Sequence, residues 1–154
     1  MPNVSRQIAF KEITLRKYEK PDFLTPRELL KRFCLSIGLL QEGDSRDVIV
    51  DILAVFLLEK RPMSSKEIID QAKSIREKNG LTNNGMTDPN VRRHLRRLRE
   101  YNIIEKIANE YAIYEDLTLN EIFNNIKEFV VNPIMERVNE YSLKLDEKFK
   151  LNEK

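Results

Sequence analysis

The sequence predicts a mainly α-helical chain with one small β-hairpin between its helices and a long helix at its end. Three observations carry that expectation. Thr25-Pro26-Arg27-Glu28, Ser64-Ser65-Lys66-Glu67 and Thr118-Leu119-Asn120-Glu121 each place a hydroxyl three residues before a glutamate, the spacing at which the two exchange hydrogen bonds at a helix start. The apolar residues that follow each box recur at helical spacing. Only one stretch, Ile103 to Tyr114, changes to a strand-like period.

In chain order, Ala9 to Lys20 reads as a short strand, because Phe10, Ile13 and Leu15 suit alternation better than a helical face. Pro26, preset for the first helical turn, opens a helix over 26 to 40 carrying Leu29, Leu30, Phe33, Cys34 and Ile37, which Gly38 or Gly43 can end. Asp44 or Ser45 can cap the next helix, which runs to Lys60 before Pro62. Within it Val48 to Leu58 is apolar except for Asp51, so this helix needs cover on nearly every side and forms the centre of the core. A helix over 64 to 79 follows, with Ile68, Ile69, Ala72 and Ile75 on one side and Asn79-Gly80 closing it. Thr87 or Asp88 with Pro89 starts a helix that ends near Tyr101-Asn102. Two short strands come next, with Asn109-Glu110 as the tight turn between Ile107 and Tyr111. Helical spacing resumes at Thr118 and continues to Phe149, with a kink or restart expected at Asn132-Pro133, since proline removes a helical hydrogen bond.

Composition narrows the classes of function. The chain has 154 residues, one cysteine (Cys34) and one histidine (His94), so neither a disulfide framework nor a Cys/His metal site is expected, and no cofactor is. Val48 to Leu58 would cover about 16 Å as a helix, about half a bilayer core, so it is expected to be a buried helix and not a membrane span. Met1 to Phe10 has no apolar core of the kind a secretory signal needs, and the expected location is the cytoplasm. No phosphate-binding glycine loop, dinucleotide fingerprint or H-E-x-x-H motif is present, and no nucleophile lies near the histidine in sequence, so a binding protein is expected and not an enzyme.

Net charge is +2, from 27 basic and 25 acidic residues, and that balance alone says nothing about nucleic acid. Its distribution does. Arg92, Arg93, Arg96, Arg97 and Arg99 fall together in a stretch with no acidic residue. The order of helices 44 to 60, 64 to 79 and 88 to 101 and the hairpin 103 to 114 is that of a winged helix-turn-helix domain. The run Val91-Arg92-Arg93-His94-Leu95-Arg96-Arg97-Leu98-Arg99-Glu100, followed by Ile103-Ile104, resembles the recognition helix and first wing strand of bacterial and archaeal regulators of the ArsR/MarR type. The resemblance covers residues 44 to 115. It implies a DNA-binding transcription factor, usually a homodimer whose third helix enters the major groove.

The residues of this helix support the same reading without the family. At about 100° per residue Val91, Leu95 and Leu98 share a core-facing side, and Arg93, Arg96, Arg97 and Glu100 are expected to point outward. Guanidinium groups can grip phosphates or bind guanine bidentately, and an asparagine can do the same to adenine. The expected double-stranded DNA contacts are therefore Asn90, Arg92, Arg93, Arg96 and Arg97, with Lys106 on the wing. Asn102 stands where the family usually has glycine before the wing and can occupy the left-handed region. With Glu110 at the expected tip, the wing is expected to contribute weakly. His94, at the edge of the buried side, is expected to pack. Asp47 and Asp51, in the first turns of their helix, are expected to be structural, with Asp51 paired to an arginine from another element.

The organisation expected is therefore an N-terminal extension over 1–43 with a short strand and a helix, the winged helix-turn-helix domain over 44–117, and a C-terminal helix over 118–154. Ile126, Phe129, Val130, Ile134, Val138, Tyr141 and Leu145 give that last helix an apolar stripe that needs a partner surface, and a second copy of the chain is the expected one. The competing reading is a winged helix used for protein contacts within a larger assembly, in which the arginines would be engaged by carboxylates.

Overall fold

The computed structural model describes residues 11–44 and 46–151. Ala9 and Phe10, at the start of the expected strand, and Ser45, offered as a helix cap, lie outside the described residues. The chain is mainly helical with one small antiparallel sheet: α1 Pro26–Ser36, α2 Val48–Glu59, β1 Met63–Ser64, α3 Ser65–Lys78, α4 Asp88–Glu100, β2 Ile104–Ile107, β3 Glu110–Ile113, α5 Leu119–Ile126 and α6 Asn132–Lys148. Two compact units divide it, one over Thr14–Ile122 and one that takes in the chain from Phe123 onward. No helix among the described residues is long and apolar enough to cross a membrane.

In the first unit α2 is the central element. Val48, Ile49, Val50, Ile52, Leu53, Val55 and Phe56 are all buried, and α1, α3 and α4 pack around them. Ala54 and Leu57 are half-buried, and in the last turn Leu58 is 70% exposed. The helix starts at Val48, three residues later than expected from Asp44. Asp44 is used elsewhere, accepting from the Gln41 N–H at 3.0 Å, and the Asp47 carboxylate caps nothing because it faces two arginines.

Those arginines build a buried ionic cluster across three helices. Arg76 of α3 reaches Asp51 at 2.6 Å and Asp47 at 3.0 Å, while Arg27 of α1 reaches Asp51 at 3.1 Å and Asp47 at 3.3 Å. Asp51 and Arg76 are nearly inaccessible, so each needs the other to offset its desolvation. Arg76 also donates through Nε to the Thr82 carbonyl at 2.6 Å, which ties the loop before α4 to the same cluster. Burial opposes ionisation of Asp47, but the hydrogen bond from Arg76 and the charges of Arg27 and Arg76 outweigh it and hold its carboxyl below the usual range. The expected pairing of Asp51 with an arginine is thus present, and α1 lies in the same unit as α2.

Four of the described helices end in the same way, with a left-handed residue whose own N–H and the next turn back on the last carbonyls. Gly38 ends α1, Gly80 ends α3, Asn102 ends α4 and Lys150 ends α6, with Leu39, Leu81, Ile103 and Leu151 donating to Cys34, Arg76, Leu98 and Asp146 at 2.9, 2.8, 2.9 and 3.0 Å. Glycine is required at 38 for a second reason: a Cβ there would lie 2.8 Å from the Thr14 Cβ. The segment carrying Thr14 is held by an Arg16 N–H to Ser36 carbonyl bond at 2.9 Å, and residues 11–20 contain no strand. The Arg16 N–H finds a helix end and not a neighbouring strand, and the expected pairing is absent.

The sheet has three strands in the order β1-β3-β2, one more than the hairpin expected. Met63 and Ser64 pair with Tyr111 and Glu110, a ladder too short to leave any period in the sequence. Ile107 pairs with Glu110, so the turn is Ala108-Asn109, with Ala108 in the left-handed region at φ 57°, and not Asn109-Glu110. In the second unit the interruption expected at Pro133 is met by a π turn over Lys127–Val131, immediately before α6. The longer Asn132 N–H to Lys127 carbonyl bond absorbs the residue that the proline would otherwise displace.

Candidate nucleic-acid interface

Helix α4 is positioned by three apolar side chains and one unusual loop. Val91, Leu95 and Leu98 are fully buried against the core that α2 and α3 supply. The loop from Gly80 to Thr87 carries Gly85, which has a φ of 90° and lies close to Val48 and Arg46, and the buried Met86. Arg76 ties this connection down through the Thr82 carbonyl, and Met86 is buried near its end.

Around the helix axis the remaining side chains separate into two groups. Arg92, Arg96 and Arg99, four and then three residues apart, form an exposed stripe, with Arg93 and Glu100 beside it. Arg92 has one ion pair, with Asp88 at 3.8 Å and both partners well exposed, which contributes little to stability. Arg93, Arg96 and Arg99 make no ion pair among the described residues. Arg99 belongs to this stripe although the sequence reading did not include it; its spacing from Arg92 and Arg96 was the available signal.

Arg97 belongs to the other group, which corrects its expected outward role. Its guanidinium donates to the carbonyls of Gly38 at 2.7 Å and Leu39 at 3.0 Å. Tyr101 adds a bond from its hydroxyl to the Ile37 carbonyl at 3.0 Å. Together they satisfy the carbonyl end of α1, where positive charge is favourable. The physical reason is angular: at about 100° per residue Arg97 lies well round from Arg96, on the flank shared with Asn90 and His94.

That flank forms one wall of an open cleft of about 440 Å³ between α4 and the chain that leads into α2. Arg46, Asn90, Arg93 and Arg97 bring three guanidinium groups and an amide to it, with one carboxylate, Asp44, opposing them. Leu39, Val48 and Ile49 supply its apolar floor. Arg46 is exposed and makes no ion pair among the described residues; nothing in its sequence neighbourhood marked it as a site residue. His94 also lines the cleft, and its Nδ1 is buried with no hydrogen-bond partner. Burial, with repulsion from Arg93 and Arg97, brings the pKa of the imidazole down to about 4, so it is neutral at pH 7.

Lys106 is exposed on β2 with its ammonium 5.6 Å from the centre of the Tyr111 ring, close to the exposed Ala108-Asn109 turn. Cys34 is buried, and desolvation raises its thiol to about 12, which leaves no thiolate for chemistry. No group of three or more metal-ligating side chains occurs among the described residues.

In the second unit the C-terminal residues divide by burial. Ile126 is buried within the single chain and is not available to a partner, which removes it from the expected dimer surface. Val130 and Ile134 are half-buried, and Phe129, Val138, Tyr141 and Leu145 are exposed, joined by Phe149 on the same side. Comparison with known proteins finds no family model, no curated protein and no solved structure that matches this chain.

Proposed function

We propose that the chain is a winged-helix protein that binds double-stranded DNA through α4, with β2 and β3 as the wing, and regulates transcription as a homodimer. The observation that carries this reading is the stripe of Arg92, Arg96 and Arg99 with Arg93 beside it: exposed guanidinium groups on a helix whose opposite side is fully buried. A charged helix used only for solubility would interleave acids at this spacing; between Arg92 and Arg99 there is none. A convex helix presenting four such groups fits the major groove, where the fork of arginine serves both phosphates and guanine. Lys106 on the wing adds a phosphate contact.

The homodimer part rests on α6. Val138, Tyr141, Leu145 and Phe149 make an exposed apolar stripe that a single copy leaves in water. A two-fold pair would present two copies of α4, and half-sites spaced by about 34 Å are the expected target.

The test is duplex DNA binding over a range of salt concentrations, for the protein and for Arg93→Ala and Arg96→Ala. Each phosphate contact adds about 0.9 to the slope of log affinity on log salt. A steep slope that falls by about 1 in either variant is expected. Binding that is indifferent to both substitutions, or absent at low salt, overturns the reading and points to protein partners.

A further inference from the structure

The cleft beside α4 contains more positive charge than its surroundings neutralise. Of its three guanidinium groups, that of Arg97 is fixed by two backbone carbonyls, while those of Arg46 and Arg93 have no ion-pair partner among the described residues. The single opposing carboxylate, Asp44, is engaged by the Gln41 N–H. With His94 neutral, three positive groups against one negative leave an excess of two charges. A phosphate monoester carries about −1.5 to −2 at pH 7 and so matches that excess, whereas a single carboxylate would leave one charge over. The cleft's volume of about 440 Å³ lies within the range of about 300 to 1,000 Å³ for small-molecule sites and is far larger than a bare phosphate requires. Its apolar floor of Leu39, Val48 and Ile49 suits the organic body of such a molecule. Gly85 helps to keep the mouth open, since a Cβ there would press on Val48 and Arg46 at 3.3 and 3.4 Å.

We propose that this cleft binds a small phosphorylated molecule, its phosphate gripped by Arg46 and Arg93 with Asn90 as hydrogen-bond donor and its body on the apolar floor, and that its occupant competes with DNA for the same end of α4. The second half rests on the DNA reading above; the first does not. Arg93 lies at the junction of the exposed stripe and the cleft, so one guanidinium cannot serve a phosphate in each at once.

His94 is the only histidine, so its ring proton gives one reporter inside the cleft. The experiment follows that resonance at pH 7 while glycerol phosphate is added at constant ionic strength, with sodium acetate as control. A saturable shift is expected with glycerol phosphate and not with acetate, its apparent Kd raised at least about tenfold in Arg46→Ala and in Arg93→Ala and unchanged in Arg99→Ala. Arg46 and Arg93 are exposed, so both variants are expected to fold, and far-ultraviolet circular dichroism checks this. Absence of a saturable shift by about 10 mM, an equal shift with acetate, or a shift that survives Arg46→Ala overturns the site. A shift with duplex DNA but none with glycerol phosphate also overturns it and makes the cleft a seat for backbone phosphate. For the second half, saturating glycerol phosphate is expected to weaken duplex binding at least about tenfold in the protein and not in Arg46→Ala. An intact His94 shift with unchanged duplex affinity overturns the competition alone, and an intact shift with no duplex binding at all overturns the DNA reading while upholding the site.

Discussion

Arg97 and Gly38 lie 59 positions apart, and a 2.7 Å hydrogen bond from the Arg97 Nη2 to the Gly38 carbonyl joins them. With the second bond to Leu39, the arginine in the middle of the most basic helix serves as a cap for α1. Arg97→Ala is therefore expected to lower stability by about 2 kcal/mol, the scale of losing charge-assisted bonds to buried carbonyls. Arg96→Ala, on the exposed stripe, is expected to stay within about 0.5 kcal/mol. Urea unfolding of both variants separates a structural arginine from a surface one; equal effects would contradict the assignment.

The Asp51 and Arg76 pair makes a sharper prediction. Asp51→Ala leaves a buried guanidinium facing only the partly buried Asp47, and the expected cost is about 3 to 5 kcal/mol. Replacing both by apolar groups, Asp51→Leu with Arg76→Met, is expected to recover much of that loss, because no unpaired charge then stays buried. Chemical denaturation of the two variants reads the difference, and a double variant as unstable as the single one would refute the account.

Gly38 is constrained by its positive φ and by Thr14. Gly38→Ala is expected to cost about 2 kcal/mol, from a left-handed alanine and the 2.8 Å approach to the Thr14 Cβ. Thr14→Gly removes the clash but not the backbone penalty, so Gly38→Ala is expected to be less harmful in that background. Additive thermal shifts in the four-member cycle would show that the two residues do not press on each other.

His94 gives the protein a stability that depends on pH. Its folded pKa of about 4 lies below the unfolded value of about 6.5, so the unfolded chain binds the proton first. The neutral ring's contribution is complete above about pH 6.5 and is lost as pH falls through the interval to about 4. Because the ring is partly exposed, the loss is expected to be about 1 to 2 kcal/mol, less than the full shift implies. Asp47, held below the usual carboxylate range, loses its contribution only at lower pH. His94→Gln is expected to flatten the stability profile between pH 6.5 and 4 and to leave the acid limb; an unchanged profile would show that the imidazole is not responsible.

On α6, Val138→Glu and Leu145→Glu place charges in the exposed apolar stripe. Sedimentation equilibrium is expected to show a dimer for the protein and a monomer for the double variant, with helix content retained. A monomer in both would remove the two-fold arrangement.

Helix starts were legible because their determinants are local. Thr25 with Glu28 and Ser64 with Glu67 form both bonds of the capping box, and Asn102 takes the left-handed position expected before β2. The apolar run of α2 likewise announced the centre of the core, since a helix that is hydrophobic all round has to be covered. The expected strand at 11–20 failed because a short apolar alternation does not say whether a partner edge is within reach.

The sequence by itself determined which segments are helical, which face of α4 is buried and where the arginines concentrate, because these follow from periodicity and from bonds between residues three or four apart. Only the tertiary structure decided which arginines are spent. Arg97 closes α1, Arg76 and Arg27 hold Asp51, and Arg46 meets Arg93 and Asn90 at one cleft, although it lies in another part of the chain. A guanidinium carries the same charge wherever it stands in the sequence. Whether it serves a carbonyl, a carboxylate or a ligand depends on what packing from distant segments brings within about 3 Å of it.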